Sequence, residues 1–457
     1  MAFVVIILGF MTWREQIGVS SFVRELLIYP RHYESMLHFF RSNAWNLSTL
    51  WKWWIQVVLS SGVIYHVCGM PVLVGDGTMK NKFGLKMPCV KRLSQESGNA
   101  ARHTFFGHMF GAIGVLAGNT NKLFCIPLSV LIHGGDYQIK QWADIEAADE
   151  SHVVRTIRDA FRTAEALKNR AIILLDRYYL TKPALFALLE ETQRVGSQML
   201  SIVTRAKLNF TAYTQPIPNP RGRPRKKGAA VKLNDIIQLF GHKFIKETVV
   251  LYGKEEKISY YSIDLLWGQQ LYQELRFVII CGIGVDPTIL VSTDLRLSPV
   301  QIMQLYGYRF KIECCFRELK HSIAGFSYRF WSRAMQKLDR YAKSGTDPLA
   351  KVTNENDKKL ISSTFDAIQG FVMLGCIAQG LLQIGALRFY ESINASPIRW
   401  LRTRTNIVPS EATTADFVRK SLFFMFRFLP ALPIVQIIRQ FQKSPWDSLD
   451  SGDSPSA

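Results

Sequence analysis

Apolar and polar positions divide the chain into stretches of different period. Residues 1 to about 66 carry tryptophan-rich helical turns (Trp45, Trp51, Trp53, Trp54) and no strand pattern. A change follows at Pro71. PVLVGD is a short apolar run that ends in an acid, and GHMFGAIGVLAG and KLFCIPLSVLIHGG read as two further strands joined by Asn119, Thr120 and Asn121. Ser151 is placed to cap a helix whose apolar face is Val154, Ile157, Phe161 and Ala164. AIILLD is a second buried strand ending in an acid, followed by a helix and the strand MLSIVT.

Three sequential strands, a helix, a strand, a helix and a strand give a ribonuclease-H-like mixed α/β core. The pattern breaks at Leu208. TQPIPNPRGRPRKKG is a proline-rich basic loop, and ETVVLYG, ISYYSIDLL and LRFVIICG after it predict antiparallel strands. The core resumes with TILVST, and Ser298-Pro299 is a cap and first-turn signal for the next helix. The expected organisation is therefore a helical region over 1–66, a first core segment over 67–207 and a β-rich insertion over 208–285. A second core segment covers 286–345, and a helical region with a low-complexity tail covers 346–457.

Composition changes the picture in one respect. Against 56 Lys+Arg stand 36 Asp+Glu, a formal charge of +20, which favours a polyanion such as nucleic acid or an anionic membrane surface. The seven cysteines form no CxxC pair and read as reduced core residues of a cytosolic protein. AFVVIILGFM is too short to span a bilayer, and the apolar stretch from Gly370 to Leu382 contains Gln379, so both read as buried helices.

The chemistry concentrates in three places. Asp76 and Asp176 are each expected at the end of a buried strand, where strand ends open into a shared crevice. In QLYGYRFKIECCFRELKHSI, Tyr306, Arg309, Glu313 and Lys320 stand at offsets of three, seven and fourteen. At about 100° per residue one helix would present all four along one edge. Three converging carboxylates are hard oxygen donors suited to Mg²⁺ or Mn²⁺. Two such ions would serve an in-line displacement at phosphorus. Glu318 turns away from Glu313 on that helix, and the context of Asp294 suits a structural turn.

Asp76-Gly77-Thr78, Asp176 and Tyr306-x2-Arg309-x3-Glu313-x6-Lys320 resemble the DDE transposases of bacterial insertion sequences, in the branch with the Tyr-Arg-Glu-Lys signature and a β-stranded insertion. The resemblance spans about residues 70–330. It implies that Asp76, Asp176 and Glu313 bind two metal ions and carry catalysis, with Tyr306, Arg309 and Lys320 holding phosphates of the element's end. It further implies double-stranded DNA as partner, both as terminal inverted repeats and as target, and an active homodimer on nucleoid DNA in the bacterial cytoplasm. The expected activity is cleavage of the ends and transfer of their 3′-hydroxyls. A nuclease without strand transfer and a non-catalytic DNA-binding derivative are the alternatives. The N-terminal helices are the expected readers of the DNA end.

Arg221-Gly222-Arg223-Pro224-Arg225-Lys226-Lys227 resembles an AT-hook core that enters an A·T-rich minor groove; a solvated loop touching phosphates is the other reading. By the same resemblance Trp267 is a candidate for stacking on a base, set against a place in the core. His103, His108 and His133 read as core or supporting residues, and Lys80 and Lys82 as solvated lysines or DNA contacts.

Overall fold

The structure, a computed structural model, describes residues 2–12, 18–94, 104–143, 150–218, 223–251, 253–282, 286–339, 347–396 and 407–442. Four helices come first: α1 (Ala2–Thr12), α2 (Val19–Glu25), α3 (His32–Arg41) and α4 (Leu47–Ser60). A two-residue strand β1 (His66–Val67) then pairs with β2 (Met70–Asn81), which lies beside β4 (Thr104–Asn119). β4 has the short strand β3 (Lys91–Ser94) and β5 (Lys122–Ile132) as its other partners. The β4–β5 turn is set locally: the Asn119 side chain accepts from the amides of Asn121 and Lys122 at 3.1 and 3.2 Å.

After the short helix α5 (Tyr137–Trp142), the crossover helix α6 (His152–Ala166) leads to β6 (Ala171–Leu174), and α7 (Lys182–Val195) leads to β7 (Leu200–Ala206). Ser151 and Thr181 cap the two helices as N-cap residues should. The buried face of α6 includes Val153 where Val154 was expected, with Ile157, Phe161 and Ala164 as anticipated. β6 runs parallel to both β2 and β7. The resulting order β5-β4-β2-β6-β7, antiparallel on one side and parallel on the other, is ribonuclease-H-like. Met70 to Gly75 of β2 are all buried, as expected of a central strand covered on both faces.

The β-rich stretch forms no separate sheet. β13 (Thr288–Ser292) pairs antiparallel with β7 and with β12 (Gln273–Cys281), and β12 pairs with β11 (Lys254–Trp267). β8 (Thr211–Tyr213) and β9 (Ala230–Lys232) close the row, β10 (Ile245–Leu251) pairs with β11, and helix α8 (Ile236–Phe240) lies between β9 and β10. One sheet thus carries the core and the inserted strands, with the basic loop hanging from the β8–β9 pair at its far edge. Beyond β13 come α9 (Pro299–Gly307) and α10 (Lys311–His321).

The long helix α11 (Glu355–Arg388) lies against β5 and is covered in turn by α1, α3 and α4. It is long and apolar enough to cross a membrane by composition, yet 83% of its most apolar window is buried inside the protein. Its glutamines find protein partners: Gln369 accepts from the Ile132 amide, Gln379 donates to the Cys315 carbonyl and Gln383 to Glu411. These contacts offset part of the cost of burying the amides, while the Gln379 and Gln383 carbonyl oxygens are buried with no hydrogen-bond partner among the described residues. α1 is equally internal; Phe10 packs edge-on against Phe22 and Phe371. α12 (Tyr390–Ala395), α13 (Glu411–Phe428) and α14 (Pro433–Arg439) complete the chain, and the Tyr29 amide bonds the Phe441 carbonyl at 2.8 Å, tying the N-terminal helices to the last ones.

α11 approaches its neighbours through glycines. A Cβ on Gly375 would lie 2.8 Å from Gly325 Cα, and one on Gly380 would collide with the Trp54 ring. Gly375→Val is therefore expected to lower stability by roughly 1–3 kcal/mol through overpacking, read as an earlier midpoint in urea. An unchanged midpoint would mean that α11 and the Gly325 turn are free to separate.

Candidate active site

The parallel register of β2 and β6 runs Val72 to Ile172, Leu73 to Ile173 and Val74 to Leu174. Two residues further along each chain stand Asp76 and Asp176, so a hundred-residue separation in sequence is closed by a three-residue ladder. Asp176 does follow its strand. It precedes a 3₁₀ turn over Arg177–Tyr179, and its carbonyl accepts from the Tyr179 amide and the Thr204 hydroxyl at 3.0 and 2.9 Å. Asp76 does not end its strand, contrary to expectation. β2 continues to Asn81 because β4 is long enough to pair with it throughout, Asp76 lying opposite Ala112. Only the β6 side of β2 opens at this point.

The segment that faces this opening is not one helix. α9 starts with a capping box between Ser298 and Gln301, and a 3₁₀ turn over Tyr308–Phe310 separates it from α10. Gly307 supplies little helix propensity, and Tyr308 is engaged edge-on with Tyr65 at 5.8 Å between ring centres. Arg309 sits in the tightened turn, so the single stripe expected of an unbroken helix is divided there. Its reach survives: Arg309 donates to Asp76 Oδ2 at 3.3 Å and to Glu313 Oε1 at 2.6 Å.

The Asp76 carboxyl is pushed up to about 6, chiefly by burial. The Gly77 amide, which donates to it at 2.7 Å, and the Arg309 charge oppose that shift, whereas Asp176 and Glu313 add to it. The three carboxylates therefore share one field, and Arg309 answers it. Burial works against the Arg309 charge, but the Glu313 hydrogen bond and the nearby Asp76 and Asp176 carry its pKa above the ordinary value. The carboxylates were expected to converge, and they do not form a ready metal cage: among the described residues no group of three His, Cys, Asp or Glu stands close enough to hold an ion. The guanidinium lies between Asp76 and Glu313 and supplies the countercharge that mutual repulsion demands. The donor set, three hard oxygen ligands around an opening with a half-exposed Glu313, still fits a divalent cation. Lys320 is partly buried on α10, its pKa lowered by burial and by Lys80, and Tyr306 lies within the field of Arg309.

Behind Asp76 runs a buried chain that sequence reasoning missed. Asp159 accepts from His133 Nε2 at 3.1 Å, the Nδ1 atoms of His133 and His152 are 2.8 Å apart, and His152 Nε2 is 2.8 Å from the Tyr179 hydroxyl. Burial lowers the pKa of both imidazoles, that of His152 to about 3 with help from His133 and Arg155, so both are neutral. A neutral pair satisfies every link in one direction only: Tyr179 O–H to His152 Nε2, His152 Nδ1–H to His133 Nδ1, His133 Nε2–H to Asp159. A Cβ on Gly77 would lie 2.7 Å from His152 Nε2, so the chain backs directly onto the strand that carries Asp76. The one signal in the sequence was the two-turn spacing of His152 and Asp159 on α6.

Other candidates fall differently. Trp267 is in the core, 8% exposed and stacked on Phe210 at 5.5 Å, so its faces are not offered to a base. Lys82 is buried and donates to the carbonyls of Phe326 and Tyr328, which removes it from the solvated lysines. His108 is a core residue between Tyr328 and the Pro88 carbonyl. Asp294 is a buried turn residue paired with Arg170 and Arg296, and Glu318 accepts from Ser322 and Arg317. Arg223, Arg225 and Lys226 are exposed on the basic loop, and Lys227 anchors its end over the Tyr213 ring at 4.0 Å. Arg221 and His103 lie outside the described residues.

Residues 128–340 match the family model described as a transposase DDE domain, a match that supports a DDE transposase. It takes in Asp176 and the Tyr306–Lys320 segment and begins after Asp76. Curated proteins give no match. Among solved structures the chain is similar to the Drosophila P element transposase strand transfer complex at 9% identity, over 93% of this chain and 94% of that one. The TM-score of 0.15 carries no structural argument.

The raised Asp76 pKa fixes the sign of a pH effect. Between the ordinary value of 3.8 and about 6 the folded protein holds a proton that the unfolded chain has lost, so ionising Asp76 costs stability as pH rises through that window. Asp76→Asn, measured in chelator, is expected to match wild type in melting temperature near pH 4 and to exceed it increasingly up to pH 6.5. The ceiling is about 3 kcal/mol, at roughly 1.4 kcal/mol per pKa unit. A difference that does not vary with pH would refute the assignment.

Proposed function

We propose that this chain is a DNA transposase that binds the ends of an insertion sequence, hydrolyses the phosphodiester at each end and joins the freed 3′-hydroxyls to target DNA. The observation that carries the proposal is the Arg309 guanidinium spanning Asp76 and Glu313 at an opening that also holds Asp176. Asp76, Asp176 and Glu313 would hold divalent cations, two Mg²⁺ or alternatively Mn²⁺. Bound there, these ions would activate the attacking oxygen and steady the leaving one in an in-line displacement.

The residues themselves divide the remaining work. Asp76 and Asp176 are fixed by the sheet, whereas Glu313 is the exposed member and has room to turn from Arg309. A guanidinium that pairs two carboxylates has the same fork that clamps a phosphate. Arg309 is therefore the phosphate clamp, with Lys320 as a point charge beside it and Tyr306 as a hydroxyl donor. Arg223, Arg225 and Lys226 neutralise phosphates away from the reacting bond. Two ends must be joined together, so the working form is a homodimer acting on nucleoid DNA in the cytoplasm.

With Mg²⁺ and a labelled DNA carrying the inverted repeats that flank the element, wild type is expected to nick the end and join it to a second DNA. Glu313→Gln should bind but fall by at least about 100-fold in both steps, since even residues that only support a metal ligand cost 10–100-fold. Hydrolysis without joining would replace the transposase with a nuclease. Binding without cleavage by either protein would leave a non-catalytic DNA binder. Separately, Arg223→Ala, Arg225→Ala and Lys226→Ala together should flatten the dependence of log affinity on log salt by roughly 0.9 for each phosphate they no longer neutralise. An unchanged slope would remove the basic loop from the interface.

A further inference from the structure

We propose that His152 is a positioning residue for the paired acids: its hydrogen bond to the Tyr179 hydroxyl holds the turn that follows Asp176 against the strand that carries Asp76. The proposal rests on the metal-dependent reading above and adds to it a residue outside the carboxylates and the cations. The ladder between β2 and β6 ends at Val74 and Leu174, two residues short of either acid. Past that point the Asp176 segment is bonded towards β7. The Leu175 amide donates to the Val203 carbonyl at 3.0 Å, and the Thr204 hydroxyl to the Asp176 carbonyl at 2.9 Å. Towards β2, Leu175 packs on Gly75, an apolar contact with no preferred direction. The directed bond on that side is the one from Tyr179 to His152, 2.8 Å long. Because the Tyr179 amide closes the turn on the Asp176 carbonyl at 3.0 Å, whatever holds Tyr179 holds Asp176.

The imidazoles sit where two glycines leave the sheet bare. Gly77 of β2 and Gly111 of β4 are direct cross-strand partners. A Cβ on Gly77 would meet His152 Nε2, and one on Gly111 would collide with the His133 ring. Neither ring could come down onto the strands if these positions carried side chains. Successive residues of a strand point to opposite faces, so the imidazoles occupy the face that Asp76 does not use. His152 thus reaches the strand directly beside Asp76 without obstructing the opening.

The far end of the chain is anchored. The His133 amide donates to the Met109 carbonyl at 2.8 Å, and Asp159, which accepts from His133 Nε2, is paired with Arg162 at 3.2 Å. A neutral imidazole has one N–H and one bare nitrogen. With the Asp159 carboxylate accepting at one end, the bare nitrogen of His152 is Nε2, the acceptor that the Tyr179 hydroxyl needs. Thr156, one turn further along α6, bonds the same hydroxyl, so Tyr179 is held from the first turns of a single helix. Groups that orient a metal ligand through such bonds govern how well the ligands meet the ion.

The test uses the full-length protein and Mn²⁺, with binding followed by loss of the free ion's electron paramagnetic resonance signal. Tyr179→Phe removes the hydrogen bond and keeps the ring. It is expected to weaken Mn²⁺ binding by about 10-fold or more, with duplex DNA affinity in chelator unchanged within about twofold. His152→Leu should do the same, and the double variant should be no worse than either alone, since both remove one link. His152→Gln, whose amide oxygen can still accept from Tyr179, should recover most of the loss. Phe161→Leu, which loosens the buried face of the same helix away from the chain, should lower the melting temperature and leave Mn²⁺ affinity in place. Unchanged Mn²⁺ affinity in Tyr179→Phe overturns the proposal. So do losses that multiply in the double variant, or an equal loss in Phe161→Leu, which would make the effect one of stability. A wild type that binds no Mn²⁺ overturns it together with the carboxylate ligand set. A protein that cuts and joins element ends with Mn²⁺ affinity indifferent to Tyr179 defeats this proposal alone. One whose Mn²⁺ affinity depends on Tyr179 but which neither cuts nor joins defeats the transposase reading alone.

Discussion

A guanidinium held between two carboxylates fixes a strand and a helical turn that lie 233 residues apart in the chain. Asp76 and Arg309 are mostly withdrawn from solvent, with side chains 24% and 17% exposed. In such surroundings each charge has given up hydration that partners restore, Arg309 and the Gly77 amide for Asp76, Asp76 and Glu313 for Arg309. The pair therefore constrains everything that carries it. β2 must pass the point where β6 ends, and the segment after α9 must tighten enough to bring Arg309 down onto the strand. The neutral histidine chain behind Gly77 acts on the same strand from the other side, packing it with groups whose polarity is fully spent on one another.

The rest of the fold keeps that strand from moving. β2 lies inside a sheet, between β4 and β6, that continues through β13 into the inserted strands, so an edge that would otherwise follow β7 is paired. α11 closes the opposite side against β5, and its glycines let Gly325 and Trp54 approach nearly to the helix backbone. The turn at Gly325 is the end of the segment that carries Glu313 and Lys320. Packing of α11 is thus transmitted to the candidate site through the Gly375–Gly325 approach and through Gln379, which donates to the Cys315 carbonyl of α10, although no residue of α11 belongs to the site.

Where local chemistry dictated the answer, the sequence was legible. Ser151 and Ser298 cap the helices they were expected to cap, Asn119 makes its turn, and apolar runs of six or so residues became β6, β7 and β13. That Asp76, Arg309 and Glu313 come together follows from spacing and strand context, which are themselves local signals. What escaped depended on partners distant in sequence. The polar end of β2 reads as a loop and is a strand only because β4 pairs with it. Trp267 is buried because Phe210 stacks on it, and Lys82 because two carbonyls more than two hundred residues later receive it. His152 and Tyr179 meet only through packing of the first crossover helix against the turn after β6.

The position of Arg309 also bears on how the site is kept specific. A carboxylate cluster open to solvent would collect stray cations, and a buried cluster without a countercharge would protonate. Pairing Asp76 and Glu313 with an arginine avoids both, since the site stays compensated until a better partner arrives for either side. On the proposed reading that partner is the DNA phosphate for the guanidinium and the divalent cation for the carboxylates. The two gains are then coupled: freeing Arg309 for phosphate is favourable only when its carboxylates find another positive charge, and they are open to one only when Arg309 has left. On the same reading the net charge of +20 would bring DNA to the surface regardless of sequence, so discrimination would have to occur at the site itself. An internal ion pair that yields only to substrate and cation together is a physical means of achieving it.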